Sequence, residues 1–232
     1  MRIARSAWIL ALAAASGCLH TLEIVNLPPA VARAEGDAPP LVIGVKGDRT
    51  PDDAQGYVEA IAKSLQLHPI AQRVIYPWTP ASRVDVVVDV SVAPAYDGSG
   101  VNFLVNFPGF LVWAPAWNGY VYHAIPRTSV ELRREGGAGV PETIAWEHDY
   151  QFRQADIGRT WTELSWLEVG AIALVGGVVF TRYDTDQTPA FIKEVAPTYG
   201  EEIATLIGNR LAGPATAPTA APATARATPT TK

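Results

Sequence analysis

Five valines at alternate positions, Val84, Val86, Val88, Val90 and Val92, constrain this chain more than any other stretch. Asp85, Asp89 and Ser91 stand between them. Successive side chains of a strand point to opposite faces, so the pattern predicts a strand with one apolar and one polar face. Only a sheet covered on one side accommodates both. The covering layer is legible just upstream, where Ala54, Tyr57, Val58, Ile61, Ala62 and Leu65 recur at helical spacing. Thr50 reads as the N-cap of that helix, with Pro51 at its first position and Asp52 and Asp53 at the positive end of its dipole. Before it, the apolar run Leu41 to Val45 reads as a buried strand ended by Gly47 and Asp48; after it, Ile70 to Tyr76 reads as another.

Strand, helix, strand, strand is the order of an α+β domain with a small mixed sheet. From Val101 to Tyr122 the sequence is aromatic: Phe103, Phe107, Phe110, Trp113, Trp117, Tyr120 and Tyr122 alternate with Pro108, Gly109, Pro115, Asn118 and Gly119. Proline and glycine exclude one long helix here, so the expectation is an aromatic hairpin insertion turning at Pro108-Gly109 and Asn118-Gly119. A strand from Tyr120 to Arg133 follows, with Thr143 to Phe152 as its antiparallel return. Trp161 to Phe180 is a second apolar block, too short after its last charge for a helical span. The final helix is expected from Thr188-Pro189, presenting Phe191, Ile192, Val195, Ile203, Leu206, Ile207 and Leu211, with Pro197 kinking or dividing it.

The ends read differently. Arg2 and Arg5, an apolar run from Ala7 to Ala15 and small residues before Cys18 form a signal peptide. The segment Ala15-Ser16-Gly17-Cys18 resembles the lipobox of bacterial lipoproteins, with Ala15 where Leu is commoner. That resemblance implies that Cys18, the only cysteine, is diacylated and becomes the mature N-terminus. An ordinary cleavage site at Ala32-Arg33-Ala34 is the alternative, but it stands beyond Pro28 and Pro29. The expected organisation is a signal peptide over 1–17, a lipidated cysteine and flexible tether over 18–40, one α+β domain over 41–212, and a disordered tail rich in Pro, Ala and Thr over 213–232.

The chain carries 18 Lys and Arg against 23 Asp and Glu, a net charge of −5, and no basic run. Nucleic acid is therefore not an expected partner, since phosphate neutralisation needs clustered positive charge. Catalytic signatures fail on inspection. Asp97-Gly98-Ser99-Gly100 lacks the first glycine of a nucleophile elbow. Asp184 and Asp186 lack the rest of a calcium loop, and Asp48, Asp52 and Asp53 suit turn and capping chemistry. Of His20, His68, His123 and His148, the last lies between Glu147 and Asp149, but neighbouring strand residues face opposite ways. His20 falls in the tether and His68 in a loop. No catalytic residue, metal site or cofactor is expected.

The strand and helix order behind a lipobox is similar to the small α+β module of envelope lipoproteins related to the curli-secretion channel and to the amino-terminal domain of TolB. The resemblance covers Leu41 to Val92 and the last helix. Asn102 to Gly119 is also similar to segments of other envelope lipoproteins, which implies no activity. Together these features lead to the expectation of a non-enzymatic envelope lipoprotein with a binding, assembly or scaffold role. It would be held by its acyl chains, in the outer membrane and facing the periplasm because Leu19 follows Cys18, with an envelope protein or a second copy as partner. Phe103, Phe107, Phe110, Trp113, Trp117 and Tyr120 are the candidate interface or membrane contacts, by the affinity of aromatic side chains for both. A subunit of an oligomeric export pore and an envelope enzyme with dispersed site residues are the alternatives.

Overall fold

The computed structural model describes residues 21–33, 39–106, 119–136, 140–155, 182–183 and 185–213. One mixed sheet of seven strands organises them. In chain order these are β1 (Thr21–Ile24), β2 (Leu41–Lys46), β3 (Ala71–Ile75), β4 (Val86–Gly98), β5 (Tyr120–Arg134), β6 (Glu142–Trp146) and β7 (Tyr150–Ala155). Their spatial order is β1-β7-β5-β4-β2-β3, with β6 paired to β5 beside β7. Strands β2, β3 and β4 run parallel, and the other pairings are antiparallel. Among the described residues three α-helices accompany the sheet: α1 (Gln55–Gln66), α2 (Val101–Asn106) and α3 (Thr188–Leu211). The expected α+β class with a mixed sheet, the strand-helix-strand-strand order from Leu41 to β4 and the C-terminal helix are what the chain adopts.

The valine alternation works as its chemistry requires. Val86, Val88, Val90 and Val92 are buried beneath α1 and α3. On the opposite face Asp89 meets Lys46 at 2.8 Å and Arg49 at 3.5 Å, while Arg49 reaches Glu131 at 2.9 Å. The core is unusually aromatic. Tyr57, Tyr120, Tyr122, Tyr150, Tyr199, Phe152 and Phe191 are all fully buried, and Tyr57 of α1 meets Tyr199 of α3 edge to face at 5.0 Å. The two helices touch closely because α3 offers glycine at the crossing: a Cβ on Gly200 would lie 2.5 Å from the Ala60 carbonyl oxygen.

Several expectations are corrected. Thr50 is not a cap. A 3-10 turn over Asp52–Ala54 precedes α1, whereas the buried Thr50 hydroxyl donates to Val90 O at 3.4 Å and accepts from Val92 N at 3.0 Å, stitching the loop to β4. Thr188-Pro189 likewise reads as an N-cap followed by proline, but Thr188 is the first residue of α3 and Gln187 its N-cap, since a 3-10 turn over Thr185–Gln187 leads into it. Pro197 neither stops nor divides α3: it sits on the exposed side, so the ring meets solvent while the opposite side stays packed. The return of β5 is two strands. β6 pairs with Thr128 to Leu132 and β7 with Tyr120 to Ala124, with Glu147 to Asp149 turning between them.

The largest correction concerns the tether. Thr21 to Ile24 pairs residue by residue with β7, so the sheet claims the segment expected to be flexible. Leu22 and Ile24 pack against the core. Beyond the strand, the Asn26 amide donates to Asp149 O at 2.6 Å and its side-chain oxygen accepts from Gln151 N, while Ala32 O accepts from the Asn209 amide at 2.9 Å. A short apolar strand can be stable at a sheet edge when backbone pairing and one buried face act together. Among the described residues no helix is long and apolar enough to cross a membrane.

Candidate functional site at the β1 end of the sheet

Register brings distant parts of the chain to one end of the sheet. Thr21 stands opposite Ala155, Tyr120 opposite Gln154, and Gly98 opposite Tyr122. The beginning of β1, the end of β4, the beginning of β5 and the end of β7 therefore share an edge with α2. Strand β4 stops where Ser99 N bonds Val121 O at 3.1 Å, and the Ser99 hydroxyl then accepts from Val101 N at 3.3 Å. Asn102 is wholly buried and takes the place of a neighbouring strand: its amide donates to Val121 O at 2.9 Å and its oxygen accepts from Val121 N at 2.7 Å. These two bonds orient α2 and leave Val101 and Leu104 facing outward, 53% and 65% exposed. Gly119 is required twice over, by a φ of +66° and by Gln154 backbone atoms 2.8 Å from where a Cβ would stand.

The expected contact residues divide. Tyr120 is corrected from interface to core: it is buried under the helical layer, because its place on β5 faces inward. Phe103 is half-buried on α2. Phe107, Phe110, Trp113 and Trp117 lie outside the described residues, as do Cys18, His20, Asp184, the block from Trp161 to Phe180 and the tail after Gly213.

The polar residues considered for chemistry have structural partners. His123 Nδ1 is 3.0 Å from Asp149 on the polar face, and Arg127 is 3.3 Å from Glu147. The carboxylates flanking His148 are thus turned elsewhere, and His148 itself donates from Nε2 to Asn26 O at 3.1 Å while its ring meets Tyr150 edge to face at 4.7 Å. His68, expected in a loop, is buried with its ring against Gly208, and Ile70 N donates to its Nδ1 at 3.3 Å. Burial, and then the charge of Arg33, lower its pKa, which favours the neutral ring. Among the described residues no three His, Cys, Asp or Glu side chains gather as a metal site would need.

Sequence reasoning passed over one polar group in the core. Glu202 of α3 is 8% exposed; its Oε1 accepts from Trp146 Nε1 at 3.1 Å, and its Oε2 has no hydrogen-bond partner among the described residues. Desolvation raises its pKa, partly offset by the bond from Trp146. Next to it Tyr199 and Thr128 share a hydrogen bond of 2.6 Å, and the buried Tyr150 hydroxyl, also without a partner among the described residues, is pushed upward by burial and then by the Glu202 charge. The signal was present: a glutamate sits beside Tyr199 and Ile203 on a stripe otherwise apolar. This group fastens β6 to α3, since Trp146 also meets Tyr199 edge to face at 5.3 Å.

No protein-family model and no curated protein matches the chain. Among solved structures, a single-residue variant of PelC from Paraburkholderia phytofirmans, a dodecamer, aligns over 81% of this chain and 98% of its own, at 16% identity and a TM-score of 0.33. A second PelC dodecamer from the same organism aligns over 81% and 97%, at 15% identity and a TM-score of 0.32. Both scores lie below the level at which two chains share a fold, so the chain is similar to PelC only at a distance.

Proposed function

We propose that this protein is a lipid-anchored component of a bacterial envelope, with a binding or scaffold role rather than a catalytic one, and that its β1 end lies against the bilayer. One observation carries the orientation: β1 starts at Thr21, three residues after the cysteine of the lipobox-like segment. Three residues span at most about 11 Å, so acyl chains on Cys18 would hold that end of the sheet near the headgroups. The exposed Val101 and Leu104 share this end. The sequence over 107–118 is uncharged and rich in Phe and Trp, a composition that favours an interfacial environment.

Lipid labelling and fractionation test the anchor. Labelled palmitate should enter the wild-type chain and not Cys18→Ala, and the variant should leave the membrane fraction; label in the variant, or a mature N-terminus at Glu35, would overturn the reading. Orientation is tested with environment-sensitive probes on the lipidated protein, where an introduced cysteine is the sole free thiol. A probe on Leu104→Cys should report an apolar surrounding in vesicles, and one on the 80% exposed Leu67, at the far end of α1, should report water. Equal responses would remove the proposed orientation while leaving the anchor standing. The mass in detergent should be that of a monomer or dimer; a ring of many subunits would favour the export pore instead.

A further inference from the structure

Helices α1 and α3 meet at Gly200, and the solvent side of their crossing is a groove of about 670 Å³. Small side chains floor it: Gly56, Ala60 and Ser64 from α1, Ala196 and Ala204 from α3. Its charged lining, Arg33, Lys63 and Lys193 with Glu59 and Glu201, is of both signs, so the groove selects neither an acidic nor a basic occupant. Two polar groups along it are left over. His68 lines the groove and is only 7% exposed; its Nδ1 accepts from Ile70 N, so in the neutral ring the proton is on Nε2, which has no partner among the described residues. Pro197 carries no N–H, so the carbonyl of Lys193 lacks its helical donor. An unused donor and an unused acceptor above a floor of small residues suit a slender occupant with free backbone groups of its own.

Such a segment follows directly on α3. Residues 214–225 are all Pro, Ala or Thr and carry no charge. Ala212 stands two turns past Thr205, which lines the groove, and Gly213, at a φ of +115°, follows the end of the helix, so the chain leaves α3 on the groove side. We propose that residues 214–225 turn back along α3 and occupy this groove, with a backbone carbonyl accepting from His68 Nε2 and an amide donating to the Lys193 carbonyl. The reach matches: twelve residues in polyproline II conformation span about 37 Å, and the helix from Pro189 to Ala212 about 35 Å. Proline and alanine lose almost no side-chain entropy on burial, and polyproline II leaves its N–H and C=O groups unpaired, which lowers the cost of ordering this segment. Attachment to α3 adds a high effective concentration, at which weak contacts suffice. The proposal does not rest on the anchor at Cys18.

Spin labels on Glu194→Cys and Thr224→Cys test this in the full chain carrying Cys18→Ala, where they are the only thiols and the outcome is independent of lipidation. A docked segment should give one narrow distance below about 20 Å; an undocked one should give a broad distribution centred at about 30 Å or beyond, the length of helix from Glu194 to Gly213. Ala196→Trp fills the groove and should abolish the short distance, whereas Gln72→Trp, on the exposed edge of β3, should leave it. Pro197→Ala improves the helix and returns a donor to the Lys193 carbonyl, so it should lower the docked-to-free ratio by about threefold without loss of stability. Melting curves identify any variant that unfolds, and the proline substitution then carries the test. A broad distribution in the parent chain would overturn the proposal, as would a short distance that neither groove substitution changes. So would a short distance that disappears on dilution with excess unlabelled chain, which would place the segment on a second copy.

Discussion

Glu202 shows what a single buried carboxylate does to a small domain. Its pKa is raised in the folded state by desolvation, so below its unfolded value it is protonated in both states and carries no penalty. As pH rises through the folded value, the native state must hold a charge in the core, and stability is lost. Glu202→Gln keeps an acceptor for Trp146 and cannot ionise. Thermal melts of the two proteins should coincide near about pH 4 and diverge toward about pH 8, with the glutamine variant the more stable; parallel curves would mean that Glu202 ionises in the fold without cost. At this scale the sequence misleads where one residue type serves two purposes. Thr50 before Pro51 has the composition of a helix cap, yet its hydroxyl bonds β4, because tertiary partners compete with local ones. Tyr120 has the composition of an interface residue, and only the register of β5 turns it inward.

Helices α1 and α3 were legible because their apolar positions recur regularly, and β4 because its alternation is one-sided. The closeness of the helices was not legible, since it depends on which glycine faces the crossing. A methyl group on Gly200 would press on the Ala60 carbonyl, which is backbone and cannot rotate aside. Gly200→Ala should therefore destabilise the protein by about 1–3 kcal/mol despite the better helix propensity of alanine, measured as a lower urea midpoint with an unchanged slope. An unchanged or higher midpoint would show that the helices separate freely. Strand β1 escaped sequence reading for another reason: four residues in front of a proline-containing stretch carry too little alternation to register, and the strand exists through its pairing with β7.

For the molecule as a whole, the pairing of β1 moves the boundary of the folded body. A chain starting at Leu41 would lack the strand that covers β7, along with the packing of Leu22 and Ile24 against the core. Compared with a chain starting at Leu19, it should lose about 2–4 kcal/mol and associate at high concentration through the bared edge of β7. Paired denaturation and light-scattering measurements check this; equal midpoints and monomeric behaviour in both chains would return 18–40 to the status of a tether.

The pairing of β1 with β7 also fixes the timing of assembly. Asn26 and Asp149, which clamp that corner, are 123 residues apart. A contact of such separation cannot form while the chain is emerging N-terminus first, and loop closure over that distance is slow. Until β7 is made, the residues of β1 have no partner strand to pair with. Any maturation at Cys18 has that interval in which to occur, and the sheet edge closes over its neighbour only afterwards.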